Sequence, residues 1–235
     1  LDCAYWDLFG KLENKSFSDI NQLENKTLAE SSITISIAEI DEQIRKIENS
    51  SWNKFKVKCN GFNLKNTEKL LNLNRNIALD ANASFTKEDC LFIQETPGFQ
   101  KLMYIEQPLE IGNFGILKNG NSVNWMADED CQDITFLEKL KPYYSSINIK
   151  LMKCGGLTPA LEMITEAKKL GYKIMLGCMT ESSIGISAGC AIAGLLDFAD
   201  LDGANLISND YATGSFVDNG KIILSEKPGL GIALL

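Results

Sequence analysis

Short β-rich runs recur along this chain at a nearly constant interval, and that recurrence narrows the possible folds more than any other feature. The runs are SITISI (32–37), KFKVK (54–58), NIALD (76–80), LMYIE (102–106), VNWMAD (123–128), INIKLM (147–152), KIMLG (173–177) and FADLD (198–202). Their ends advance in steps of 21, 22, 26, 22, 24, 25 and 25 residues. Helical signals fill the gaps, at EIDEQIRKIEN (39–49), KEDCLFIQE (87–95), TFLEKLK (135–141) and SIGISAGCAIAGLL (183–196). Thr158 followed by Pro159 reads as an N-cap and first helical position, with Leu161, Ile164 and Leu170 on one side and Gly171 closing the helix. Strand and helix therefore alternate, which predicts parallel βα units. Eight such units in 235 residues predict a closed (β/α)8 barrel. An open doubly wound sheet shares the same alternation.

Composition removes several classes of function. The net charge of −8 comes with no basic stripe to neutralise a phosphate backbone, so nucleic-acid binding is not expected. No apolar run reaches the roughly 18 to 20 residues of a membrane-spanning helix, and LDCAYWDLFGK has neither a basic n-region nor a cleavage pattern. A soluble, cytoplasmic protein is expected. The seven cysteines, at 3, 59, 90, 131, 154, 178 and 190, form no CxxC pair and suit reduced thiols. Histidine is absent, which excludes Ser-His-Asp, Cys-His and His-ligated metal chemistry together. Any acid or base must be Lys, Asp, Glu, Tyr or Cys.

The informative residues sit where the runs stop, since the carboxyl ends of barrel strands carry the active site. Lys58, Asp80, Glu106, Asp128, Lys150 and the pair Asp200/Asp202 all occupy such ends. Lys54, Lys56 and Lys58 share one face of a strand and would be a solvated face on an isolated edge. Asp80 and Asp128 could each be a helix N-cap, a role for which Glu106 is less suited. Taken together, carboxylates on successive strands of a closed barrel would converge and repel unless a cation held them. Oxygen-only donors point to a hard ion, with Mg2+ the natural candidate.

Lys150 lies in an otherwise apolar run, and strands two and six are on opposite sides of an eight-stranded barrel, so Lys58 and Lys150 would face each other across the metal. This suits removal of a proton α to a carboxylate, with the cation stabilising the enediolate and a lysine taking the proton. Two bases on opposite faces permit epimerisation.

KVK (56–58), LDAN (79–82), YIEQP (104–108), MADED (126–130) and NIKLMKCGGL (148–157) resemble the successive strand-end motifs of the enolase superfamily, specifically its muconate-lactonizing subgroup. The resemblance covers roughly residues 31–211. It implies a TIM-type barrel in which Lys58 and Lys150 are acid/base residues, Lys56 supports Lys58, and Asp80, Glu106 and Asp128 bind one Mg2+. GCMTESSIGISA (177–188) followed by FADLD (198–202) is similar to the dipeptide epimerases of that subgroup. There the two aspartates bind the substrate's free ammonium group, which puts that role on Asp200 and Asp202. Thr34, Cys178 and Met179 would also line the substrate site. A helix cap and a solvated loop residue are the plain alternative for this pair.

The implied activity is Mg2+-dependent epimerisation at the α-carbon of a dipeptide's C-terminal residue. Other enzymes of the subgroup, such as an N-acylamino acid racemase, an o-succinylbenzoate synthase or a cycloisomerase, have no free ammonium to bind. An inactive fragment without its cap is a further alternative. Members of the superfamily carry an α+β capping domain, of which residues 1–30 resemble only the last helix and linker. Residues 31–211 would be the barrel and 212–235 a return segment packing toward the cap, with apolar surface exposed there. The interval from Lys58 to Asp80 leaves room for only about two to three helical turns. The identity of the dipeptide and the oligomeric state, a homo-oligomer included, stay open.

Overall fold

The computed structural model describes residues 1–24, 27–120 and 123–235. Eight strands, β1 (Ile33–Ile35), β2 (Lys54–Lys58), β3 (Asn76–Asp80), β4 (Ile105–Glu106), β5 (Trp125–Ala127), β6 (Ser146–Lys150), β7 (Lys173–Gly177) and β8 (Phe198–Asp200), form one sheet in sequence order. Each characterised pair is parallel. Ser31, just ahead of β1, bridges in parallel to Ala199 of β8. This is the connectivity of a (β/α)8 barrel.

The helices are α1 (Asp2–Glu13), α2 (Phe17–Ile20), α3 (Ile40–Glu48), α4 (Leu64–Leu71), α5 (Lys87–Glu95), α6 (Leu137–Leu140), α7 (Leu151–Cys154), α8 (Leu157–Lys169) and α9 (Ser183–Cys190). Short strands β9 (Ala212–Thr213), β10 (Phe216–Asp218), β11 (Lys221–Ile223) and β12 (Ala233–Leu234) follow the barrel. None of the described helices is long and apolar enough to cross a membrane.

Strands β2, β3, β7 and helix α5 have the bounds read from the sequence. Helix α5 is fixed by a reciprocal cap, in which the Asp89 amide donates to Thr86 Oγ1 at 3.1 Å and the Thr86 amide donates to Asp89 Oδ2 at 2.8 Å. The eight-residue α4 occupies the short interval after Lys58, capped by Asn63.

The runs 32–37, 102–106, 123–128 and 198–202 hold strand only over Ile33–Ile35, Ile105–Glu106, Trp125–Ala127 and Phe198–Asp200, which leaves Asp128 and Asp202 just past their strands, and four further readings need correction. The sixth run was read as strand through Met152, but β6 stops at Lys150 and the chain turns at once into α7, which ends at Gly155 with φ +104°. The helix read from 183 to 196 ends at Cys190 and continues only as a 3-10 turn, Ala193–Leu195. Residues 135–141 form a 3-10 turn and a single turn of α6 rather than one helix. Thr158 is not the cap of α8. The helix starts at Leu157, the Thr158 amide donates to Asp2 Oδ2 at 3.1 Å, and Thr158 Oγ1 accepts from Trp6 Nε1 at 2.8 Å. An acidic side chain brought from α1 takes the place of the local hydroxyl at that helix start.

The chain divides into two compact units. One comprises Ile33–Asn148 and Ala167–Lys173. Its core includes Phe55, Ile77, Leu79, Ile105, Trp125 and Tyr144, each 0–1% exposed. The other comprises Leu1–Ser32, Ile149–Glu166 and Ile174–Leu235. In it α1 lies against the C-terminal segment at a glycine crossing, where a Cβ on Gly10 would stand 2.5 Å from Gly229 Cα. Gly229 exchanges backbone hydrogen bonds with Lys15 and Phe17, and Lys11 Nζ donates to the Ile232 carbonyl at 2.9 Å. Tyr5, Leu8 and Leu12 on α1 are exposed.

Candidate active site

In the unit Ile33–Asn148 with Ala167–Lys173, register aligns the charged strand ends. Lys58 is paired with Asp80 across β2–β3, and Asp80 with Glu106 across β3–β4. Glu106 pairs with Met126, and Asp128 lies two residues beyond Met126, immediately after β5. Side chains alternate along a strand, so residues two apart share a face.

All three carboxylates are buried, at 2%, 0% and 1% exposure for Asp80, Glu106 and Asp128. Burial of a carboxylate is costly unless an opposite charge or several donors accompany it. Lys56 supplies the charge, its Nζ lying 3.6 Å from Asp80 Oδ2 and 3.7 Å from Glu106 Oε2. Lys58 Nζ donates to Asp80 Oδ2 at 3.0 Å and to Asn82 Oδ1 at 2.8 Å. Asn148 Nδ2 donates to Glu106 Oε1 at 2.6 Å. Neither Asp80 nor Asp128 caps the next helical element, since Thr86 caps α5 and Asp133 caps the 3-10 turn Ile134–Phe136 that leads into α6. Thr34 stands beside Lys56 in the β1–β2 pair. Burial, reinforced by the charge of Asp80, pushes the Cys59 thiol up to about 12, so it stays protonated near neutral pH.

The segment that carries Asp128 is held by residues to which the sequence reading gave no role. Gln107 Oε1 accepts from the amides of Asp128 and Asp130, each at 3.1 Å. Gln107 Nε2 donates to the Leu109 carbonyl at 2.8 Å and to Asp130 Oδ2 at 2.9 Å. Tyr144 OH donates to Asp130 Oδ2 and the Gly112 amide donates to Asp130 Oδ1, both at 2.8 Å. Burial, then the charge of Asp130 and the hydrogen bond to it, raise Tyr144 and keep its hydroxyl proton in place.

In the unit containing β8, Asp200 ends that strand and is 1% exposed. Ser32 Oγ donates to Asp200 Oδ1 at 2.9 Å, and Ser31 Oγ accepts from the Leu201 amide at 2.9 Å. Asp202, 3% exposed, begins the turn Gly203–Leu206. The Cys178 thiol lies 4.0 Å from Asp202 Oδ1, and burial together with the charges of Asp200 and Asp202 pushes that thiol up. The two aspartates thus create one negative field around Cys178. A Cβ on Gly203 would come within 2.4 Å of the Met179 carbonyl, so glycine is what lets the Cys178–Met179 segment approach the β8 turn. The Met179 side chain is half exposed. Lys150 ends β6 and is partly buried.

The donors on offer to a cation are carboxylate oxygens, in keeping with a hard divalent ion. Among the described residues, no three or more His, Cys, Asp or Glu side chains lie close enough together to hold a metal ion in this arrangement. The chemistry of the donor set fits Mg2+, and gathering Asp80, Glu106 and Asp128 into one coordination shell requires their side chains to move.

The overlooked residues carry a weak signal in the sequence. Asn82, Asp130 and Asn148 lie two positions from Asp80, Asp128 and Lys150, on the alternating face that a strand would share. Gln107 and Ser32 carry no such signal, because their contacts depend on register and loop conformation.

Strand order, aligned strand-end charges and buried carboxylates define the catalytic barrel class to which the chain is assigned: residues 39–235 match the family described as "Enolase C-terminal domain-like", and the chain belongs to that family. It is 36% identical over 244 residues to the L-Ala-D/L-amino acid epimerase of Maribacter sp., covering 100% of this chain and 71% of that protein. Identity to the protein of the same name from Flavobacterium johnsoniae is 34% over 243 residues, covering 100% of this chain and 71% of the relative. Among solved structures, the dipeptide epimerase from Methylococcus capsulatus complexed with Mg and the dipeptide L-Arg-D-Lys superposes with a TM-score of 0.86 at 27% identity, covering 99% of this chain and 71% of that one.

Proposed function

We propose that this protein is a Mg2+-dependent dipeptide epimerase that moves a proton off and back onto the α-carbon of the dipeptide's C-terminal residue. The observation that carries the reading is the aligned row of Lys58, Asp80 and Glu106 at adjacent strand ends, with Lys56 between the two buried carboxylates. The epimerase relatives and the Mg-bound neighbour support it. Residues 31–211 hold this chemistry, with 1–30 and 212–235 as flanking cap-side segments.

Asp80, Glu106 and Asp128 would hold the ion, which when bound supplies positive charge to the substrate carboxylate. Lys58, oriented by Asp80 and Asn82, exchanges a proton with the α-carbon from one face, and Lys150 does so from the other. Lys56 supports Lys58 through the carboxylate they share, both ammonium groups lying against Asp80 Oδ2. Asp200 and Asp202 bind the dipeptide's ammonium group, with Cys178, Met179 and Thr34 lining the substrate.

The test is incubation with Mg2+ and a dipeptide library in D2O, followed by NMR or mass spectrometry. Deuterium is expected at the α-carbon of the C-terminal residue of at least one dipeptide. Lys58→Ala and Lys150→Ala should each reduce epimerisation by about 10²- to 10⁴-fold, with one variant retaining exchange from a single stereoisomer. Absence of exchange with every dipeptide by folded, metal-bound protein would sink the proposal.

A further inference from the structure

Gln107 is wholly buried, has φ +35°, and commits its side-chain amide to backbone groups and to Asp130. A non-glycine residue adopts positive φ only where its surroundings impose it, and such residues cluster at sites whose geometry matters. Here the surroundings are specific. One amide oxygen accepts from two backbone N–H groups, those of Asp128 and Asp130, so the peptide unit entering Asp128 and the one entering Asp130 are tied to a single atom. The amide nitrogen donates to the Leu109 carbonyl and to Asp130. Gln107 therefore has both faces of its side-chain amide engaged, and no rotation of that amide preserves them.

Asp130 completes the device. Its carboxylate is 3% exposed and accepts from Gln107 Nε2, Tyr144 OH and the Gly112 amide. Three donors from three separate stretches of chain converge on it, which accounts for a buried charge that takes no part in the proposed reaction. Residues 107, 109, 112, 128, 130 and 144 become one hydrogen-bonded body whose edge is the Asp128 main chain.

We propose that Gln107 and Asp130 are a positioning pair that sets the direction of Asp128 as a cation ligand, with Tyr144 locking the pair. This rests on the reading of Asp128 as a ligand given above. A metal ligand held by outer hydrogen bonds loses about 10- to 100-fold in metal affinity when those bonds are removed.

The experiment measures Mn2+ dissociation constants by electron paramagnetic resonance or calorimetry, alongside circular dichroism and dipeptide kinetics. Gln107→Glu faces a carboxylate against Asp130 and the Leu109 carbonyl, and Asp130→Asn sets an amide donor against another donor whichever way it turns, either Gln107 Nε2 with Tyr144 OH or the Gly112 amide. Each should weaken Mn2+ by about 10- to 100-fold and lower the rate at limiting Mg2+, with much of the rate returning at saturating Mg2+. The double variant, Gln107→Glu with Asp130→Asn, restores donor against acceptor and should recover part of the affinity. Tyr144→Phe keeps the ring and removes only the hydroxyl, so it should fold and show a smaller loss of the same sign.

If wild type binds Mn2+ in a manner dependent on Asp128 while folded Gln107→Glu, Asp130→Asn and Tyr144→Phe match it in affinity, the positioning role is overturned and the functional reading survives. If Asp128→Asn binds Mn2+ as wild type does, the ligand assignment falls and the positioning role falls with it.

Discussion

Two sets of strand ends in this molecule treat buried acids differently. At β3 and β4, Asp80 and Glu106 are matched by ammonium groups and amides: Lys56 between them, Lys58 on Asp80, Asn148 on Glu106. At β8, Asp200 is oriented by a serine hydroxyl, and Asp202 lies against a thiol whose pKa both aspartates help to raise. The first arrangement suits a place where charge is rearranged during reaction. The second preserves a negative field, as recognition of a cationic group requires. Acidic residues in equivalent strand positions can therefore serve opposite needs, and the identity of the donor beside them distinguishes the two.

The largest effect expected from breaking this contrast is that of Lys56→Met. It leaves two buried carboxylates without their shared cation, and urea unfolding should show a loss of about 3–5 kcal/mol. Added Mg2+ should recover part of it. Stability equal to wild type would mean that the charge match at β3 and β4 is incidental.

Ser32→Ala sharpens the comparison from the other side. Loss of one hydrogen bond to a carboxylate corresponds to roughly 1.5 kcal/mol, about a tenfold rise in KM for a dipeptide. Mn2+ affinity should stay unchanged, and a parallel fall in that affinity would erase the distinction between the two regions.

The smallest effect belongs to Asp210, which accepts from the Ser183 amide at 2.8 Å and its hydroxyl at 2.7 Å at the start of α9. The Ser183 hydroxyl is the main cause that holds this carboxyl below its ordinary 3.8. A depressed folded-state value contributes stability above about pH 3.8 that is lost as pH falls through the lower folded value. Asp210→Asn should remove this acid-limb contribution, visible as a flatter stability profile below pH 4 in the same urea experiments, with no change in kinetics.

Much of this was legible in the sequence for an identifiable reason. Asp80 and Glu106 announce themselves because a charge that ends an apolar run is improbable without a use, Lys58 because it ends a strand run beside theirs, and β2, β3 and β7 have the bounds their runs suggest. The run through Met152 misled because Leu151 and Met152 are apolar, whereas Gly155 at φ +104° ends a helical turn there. Gln107 and Ser32 were invisible for a different reason. They are neutral residues whose role arises only when one strand's register brings a particular oxygen to a particular amide. Thr158 was misread because its amide partner, Asp2, is 156 residues away.

The hydrogen bond from Ser32 to Asp200 spans 168 residues. Closing so long a loop carries an entropy cost that local contacts do not bear, and the latter form first. Asp80 and Glu106 are only 26 positions apart and lie on neighbouring strands. During synthesis, the acids of β3 and β4 can be brought together while most of the barrel is still unmade, whereas Asp200 gains its orienting hydroxyl only after β8 has emerged. The orienting contact of Asp200 is thus available later in synthesis than those of Asp80 and Glu106.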